Sequence, residues 1–174
     1  MLMKKKKVLF VFLMILLLVI IAEFTLFWIR AFSERQIDDV TPWIKCDADL
    51  LRKSDVLFVI PLFENKSIAD NEAWCKEMLV SGKKLEMHGV YHTYREFVTT
   101  RNESYLDEGI IVFEDCFGFK PEGFKAPQLL LNKNNEKMID NKGLKIYGYW
   151  NQLTHKVYHC NDSGMFSNKI IDIF

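Results

Sequence analysis

Lys84-Leu85-Glu86-Met87-His88-Gly89-Val90-Tyr91-His92-Thr93 reads as a short strand running into two histidines four residues apart. Residues 84–87 form the strand and deliver His88 at its carboxyl end. Imidazoles at i and i+4 can turn to one side of a helical or tightly wound stretch. Upstream, Gln36-Ile37-Asp38-Asp39-Val40 ends another short strand in two carboxylates, with Asp39 placed 49 positions before His88. Two imidazoles and one carboxylate hold zinc or a similar ion while leaving positions open for water and substrate, as a catalytic metal requires. Asp39, His88 and His92 are the candidate ligands, and Asp38 beside them is a carboxylate free to act as a base.

Outward from these segments, strand-like and helix-like patterns alternate, the mark of an α/β domain with mostly parallel strands. Strands are expected at residues 35–39, at 55–61 (a fully buried Val-Leu-Phe-Val-Ile run), at 84–87, and late at 144–149 and 156–159. Helices are expected at 47–53, at 68–81 with a stop at Gly82, at 104–113 and at 126–140. Functional residues of parallel α/β folds collect at the carboxyl ends of strands, where Asp38, Asp39 and His88 all fall.

At these residues the chain resembles the polysaccharide deacetylases, the NodB-homology group of carbohydrate esterases, and especially a divergent branch of that superfamily. The family's first strand ends in Asp-Asp, and its second motif reads His-Ser/Gly-x-x-His-Thr, here His88 to Thr93. Its third motif, an Arg-x-Pro-type segment, has its counterpart in Phe124-Lys125-Ala126-Pro127, and its late histidine strand in Lys156-Val157-Tyr158-His159. The resemblance spans about residues 35 to 162. It implies a distorted (β/α) barrel of about seven strands, for which this chain is short, so the barrel is expected to be open or to be completed by a partner or oligomer.

The roles the resemblance implies are metal binding by Asp39, His88 and His92, proton abstraction from water by Asp38, and protonation of the leaving amine by His159. Lys125 stands where the family commonly has an arginine that orients the catalytic aspartate, a point charge in place of a planar fork. Gln128, after the motif's proline, offers a backbone N–H to an oxyanion. Tyr91, Tyr94, Phe97 and Trp150 are candidates for stacking on sugar rings, Tyr91 first. Arg95 and Glu96 read as an ordinary surface ion pair, and His155 as an alternative to His159. The cofactor implied is a divalent metal, zinc first, and the substrate an N- or O-acetylated glycan.

Lys4 to Lys7 precede a 22-residue apolar stretch, residues 8–29, broken only by Glu23. Residues 1–32 are read as cytoplasmic lysines and a transmembrane anchor or a signal peptide, and residues 33–174 as the deacetylase-like domain. The anchor is favoured, because no small-x-small cleavage site follows Ala22 and the first strand begins so soon afterwards. The lysines stay in the cytoplasm, which places a single-pass protein's domain outside the membrane. With 23 basic and 23 acidic residues and no basic stripe among aromatics, nothing points to nucleic acid. Four cysteines without C-x-x-C spacing argue against a structural zinc site and leave three pairings, or free buried thiols, open. A metal-dependent deacetylase is the leading reading. The alternatives are an inactive deacetylase-like binding module at the cell surface and a metal-free membrane protein whose motifs are coincidental.

Overall fold

The computed structural model describes residues 2–173. A long helix, α1 (Leu2–Phe32), leads through three residues into β1 (Gln36–Val40). There follow α2 (Ala48–Lys53), β2 (Val56–Val59), the hairpin strands β3 (Leu62–Phe63) and β4 (Lys66–Ser67), α3 (Glu72–Val80), β5 (Lys84–His88), α4 (Glu103–Phe117) and β6 (Gly123–Lys125). The chain ends with α5 (Lys133–Asn141), β7 (Lys145–Tyr147), α6 (Tyr149–Thr154), β8 (Val157–His159) and α7 (Phe166–Ile173).

Six strands form one parallel sheet in the order β7-β6-β5-β2-β1-β8. From β1 onward the strands of this sheet step in one direction, and only β8 returns to the far edge to pair with β1, which is how a ring of strands is laid down. Among the described residues β7 and β8 do not pair, so the sheet is a curled half-barrel of six strands rather than about seven. The chain itself crosses the gap as α6, between β7 and β8.

Side chains alternate along each strand. Ile37, Leu57, Leu85, Met87 and Phe124 lie on the outer face and share a core with Met78, Leu106, Phe113 and Ile139 of the covering helices. The alternate positions Gln36 and Asp38, Glu86 and His88, and Lys125 are buried too. With them is only a small apolar cluster, Val56, Phe58 and Tyr147. Burial on both faces is why the strands read as near-continuous buried runs.

Helix ends follow local chemistry. Asn71 caps α3 by accepting the Trp74 N–H (3.2 Å), Asn102 caps α4 by accepting the Tyr105 N–H (3.0 Å), and Gly118 (φ 78°) closes α4 four residues beyond the expected end. The single helix expected over 126–140 is instead a short turn, a loop and α5. Asn132 accepts the N–H groups of Asn134 and Asn135 (both 2.9 Å) and so starts the helix there, leaving Ala126, Gln128 and Leu129 to line the site. The short helices α6 and α7 had no counterpart in the sequence pattern. On α7, the Asn168 side chain accepts the His159 N–H (3.0 Å) and donates to the His159 carbonyl (2.8 Å), occupying the free edge of β8.

All four cysteines are paired, Cys46 with Cys160 and Cys75 with Cys116, which removes the free-thiol alternative. The first bridge closes a separation of 114 residues and ties the segment after β1 to the end of β8. The double change Cys46→Ser/Cys160→Ser is expected to lower unfolding free energy in urea by about 2–5 kcal/mol. An unchanged midpoint would show that strand pairing alone holds β8.

Candidate functional site

Successive residues of a strand face opposite sides of the sheet, so Asp38 and Asp39 cannot both reach one site from a regular strand. β1 solves this with a bulge. Ile37 pairs with Leu57 and Val40 with Val59, three steps on β1 against two on β2, and Asp39 takes a left-handed conformation (φ 64°) that aspartate tolerates. Both carboxylates are buried, at 2% and 5% exposure, and both line one cleft of about 320 Å³ at the carboxyl end of the sheet.

The histidines arrive from β5. His88 ends the strand and His92 sits in the following tight loop at φ 57°. Their Nε2 atoms lie 3.4 and 2.9 Å from Asp39 Oδ1. Gly89 makes the loop possible. It adopts φ 63°, and a Cβ there would meet the Pro127 ring at 2.7 Å and collide with the Glu96 carboxylate. Glu96 is no surface ion pair, as the sequence suggested, but fully buried. It accepts the N–H groups of Val90 (3.2 Å) and Tyr91 (2.8 Å) and the Tyr105 hydroxyl (2.7 Å), so it braces the turn between the two histidines. No signal in the sequence around it marked that role.

β6 contributes Lys125, fully buried, whose Nζ sits 2.9 and 2.8 Å from the two oxygens of Asp38 and 4.8 Å from the centre of the Phe58 ring. β8 places His159 opposite Asp38 in register, with Nδ1 3.5 Å from Asp39 Oδ2 and 4.0 Å from Asp38 Oδ2. Burial opposes ionisation of Asp39, but hydrogen bonds from His159, His88 and His92 outweigh it and hold its carboxyl far below the usual carboxylate range. For His159, burial favours the neutral ring. The Asp39 hydrogen bond and the charges of Asp38 and Asp39 prevail and raise its pKa.

The donor set fits a divalent ion. One ligand atom each from Asp39, His88 and His92 lie within 4.8 Å of one another. His88 Nδ1 is 3.0 Å from the Lys125 carbonyl oxygen and donates its proton there, so that with an ion bound Nε2 would be free to serve as the ligand atom. Two imidazoles and a carboxylate suit zinc, iron or a similar ion rather than calcium or magnesium.

Of the remaining expected residues, Gln128 lines the cleft at φ 53°, and its side chain accepts the Arg95 N–H (2.9 Å). Tyr91 is not among the lining residues: its hydroxyl donates to Glu108 (2.7 Å) and its ring packs on Tyr105. Phe97 is fully buried and belongs to the core, whereas Tyr94 and Trp150 are exposed outside the cleft lining. His155 also lies outside the lining, its Nδ1 beside the Asn151 carbonyl (3.1 Å). Gln152 of α6 and Leu129 complete the cleft wall, and neither carried a signal in the sequence.

No protein-family model and no curated protein sequence matches the chain. Among solved structures, a CE4 family pseudoenzyme from Bacillus anthracis is similar over 82% of this chain and 60% of its own, at 11% identity and a TM-score of 0.52. The fold of this chain is like that of this CE4 family pseudoenzyme. A mutant of the same pseudoenzyme matches at 10% identity and the same TM-score. The Xyl-CE4 domain of a multidomain xylanase from the hindgut metagenome of Trinervitermes trinervoides matches over 62% of this chain at 16% identity and a TM-score of 0.44. This chain spans about three-fifths of the length of these three structures, from 56% to 62%.

Two outcomes test the geometry. Lys125→Met strands a buried carboxylate and is expected to cost about 3–5 kcal/mol in urea unfolding, much of it recovered when Asp38→Asn is added; equal losses in the single and double variants would dismiss the pair as a structural unit. Glu96→Ala orphans two loop N–H groups and should cost about 1–3 kcal/mol for each, with faster hydrogen exchange at Val90 and Tyr91 as the local readout.

Proposed function

We propose that this chain is a metal-dependent hydrolase that removes acetyl groups from an N- or O-acetylated glycan, held outside the cytoplasmic membrane by α1. One observation carries the reading: the Asp39, His88 and His92 donors converge in the same cleft as a second carboxylate, Asp38, which is gripped by Lys125.

When bound there, a divalent ion, zinc first, supplies Lewis-acid polarisation of the acetyl carbonyl and acidifies a water. Asp38 takes a proton from the attacking water, and Lys125, astride both carboxylate oxygens, holds Asp38 in place for it. Gln128, at the cleft wall, offers its backbone N–H to the charge that develops on the carbonyl oxygen. His159, on β8 in register with Asp38 of β1, gives a proton to the leaving nitrogen or oxygen. The acyl–nitrogen or acyl–oxygen bond breaks, water supplies hydroxyl to the acyl group and hydrogen to the sugar, and acetate leaves.

Residues 9–32 make one helix long and apolar enough to cross a membrane, with a mean hydropathy of 2.9. At ~1.5 Å per residue its 24 residues reach about 36 Å, beyond the ~30 Å hydrocarbon layer. Two disulfides support an oxidising compartment. A second reading, a binding module that keeps the cleft without turnover, is favoured by Lys125 in the arginine position and by the naming of a structural neighbour as a pseudoenzyme.

Elemental analysis of the full chain in detergent should find about one divalent ion per molecule, lost in His88→Ala/His92→Ala. Asp38→Asn should keep the ion and slow hydrolysis of an aryl acetate by about 10²–10⁴-fold. A folded protein without ion would sink the hydrolase reading, and an ion-bearing native chain inert toward acetylated glycans would select the binding module.

A further inference from the structure

The two ends of the sheet carry different charges. The cleft occupies the carboxyl ends. At the amino ends, β1 is preceded by Arg35 and β8 by Lys156, while β5 and β7 begin with Lys84 and Lys145; only β2 and β6 are preceded by acids, Asp55 and Glu122. Backbone hydrogen bonds join these residues along one rim: Gln36 N–H to the Lys156 carbonyl (2.8 Å), Asp55 N–H to the Arg35 carbonyl (2.7 Å), Lys84 N–H to the Asp55 carbonyl (3.0 Å) and Lys145 N–H to the Glu122 carbonyl (2.9 Å). Arg35, Lys84 and Lys145 are exposed. Lys84 pairs with the buried Glu86 (2.7 Å), and Lys156 Nζ donates to the Asp172 carbonyl (2.9 Å), which leaves its charge unmatched by that bond. Burial and the nearby charges of Arg35, Arg30 and Lys53 depress the Lys156 pKa against the opposing charge of Asp172, which itself pairs with Lys53 (2.6 Å). Composition does not explain the basic rim, since residues 33–174 hold 18 basic against 22 acidic residues.

The helix α1 joins the domain at this same end. Only residues 33–35 separate Phe32 from β1. Arg30 Nη1 donates to the Leu153 carbonyl at the end of α6 (3.1 Å), and Leu26 and Phe27 line a groove with Ile170 and Ile171 of α7. Trp28 and Phe32 are exposed at 44% and 82%, aromatic side chains of the kind found at headgroup level.

We propose that the amino-end rim of the sheet is a membrane-docking face for anionic phospholipid headgroups, and that it seats the domain with its cleft pointing away from the bilayer. Clustered basic residues next to a membrane span are drawn to anionic headgroups within a Debye length. Asp38 and Asp39 stand three and four residues beyond Arg35, which at ~3.3 Å each lifts them by about 10–13 Å above the rim. A cleft so placed meets a polymeric glycan standing off the membrane rather than a saccharide carried on a lipid headgroup. This orientation rests on the anchored reading above.

The test uses the full chain in lipid nanodiscs of phosphatidylcholine, with or without phosphatidylglycerol, and an acceptor dye on the headgroups. A donor dye is placed at Val80→Cys, exposed at the end of α3 that leads into β5, or at Tyr94→Cys, exposed two residues beyond His92. Energy transfer from position 80 should exceed that from position 94 several-fold, rise with the anionic fraction, and fall in high salt and in Arg35→Gln/Lys145→Gln. Equal transfer from the two positions, greater transfer from position 94, or indifference to anionic lipid would overturn the proposal. A chain that fails to stay with the discs would instead overturn the anchor. Because energy transfer needs neither ion nor turnover, it reports the orientation of the domain whether or not the chain is a hydrolase.

Discussion

A strand's two-residue alternation is the constraint on which this cleft depends. Adjacent aspartates on a regular strand point to opposite faces, one into the helix-covered core and one into the barrel interior. The extra residue in β1, with Asp39 in a left-handed conformation, cancels that alternation for one step and delivers two carboxylates to the same side. Everything opposite is arranged to receive them: Lys125 on Asp38, three imidazoles on Asp39. Without those partners, two adjacent buried carboxylates would repel one another and resist desolvation. The left-handed positions His92 and Gln128 border the same cleft, so backbone strain collects where side chains must converge.

Most of the strand framework was legible because burial on both faces writes a continuous apolar signature, as at Val56 to Val59, and because polar residues at strand ends stand out against it. Asp38, Asp39, His88 and His92 could be grouped by type and order alone. What stayed hidden was long-range or conformational. Nothing local distinguishes Glu96 from a solvated glutamate, since its burial depends on the space left by Gly89 and on Tyr105 from α4. The break at Asn132 was lost to helical periodicity because a capping asparagine competes with propensity only through its own side chain. Tyr91 looked like a sugar platform, yet its position in the loop turns it toward Tyr105 and Glu108.

The polar inner face also accounts for a lysine buried beside Asp38. Lys125 is wholly buried with its ammonium between two carboxylate oxygens and an aromatic face, a setting in which a compact charge satisfies both oxygens at once. What it gives up is angular control, because a rotatable ammonium fixes distance better than orientation. The neighbouring strands restore part of that control: the Lys125 carbonyl holds the His88 ring, so one residue places both the proposed base and a candidate ligand.

A half-barrel leaves an outer strand whose peptide groups invite another strand to join. At β8 that invitation is withdrawn by a single side chain, for the Asn168 amide answers the N–H and carbonyl of His159 as a neighbouring peptide would. An incoming chain would have to evict Asn168 before it could extend the sheet at this point, and it would gain no hydrogen bond there that the domain does not already make. Intermolecular β-pairing at His159, and aggregation through it, is thereby disfavoured, so an incomplete ring can persist as a monomeric edge.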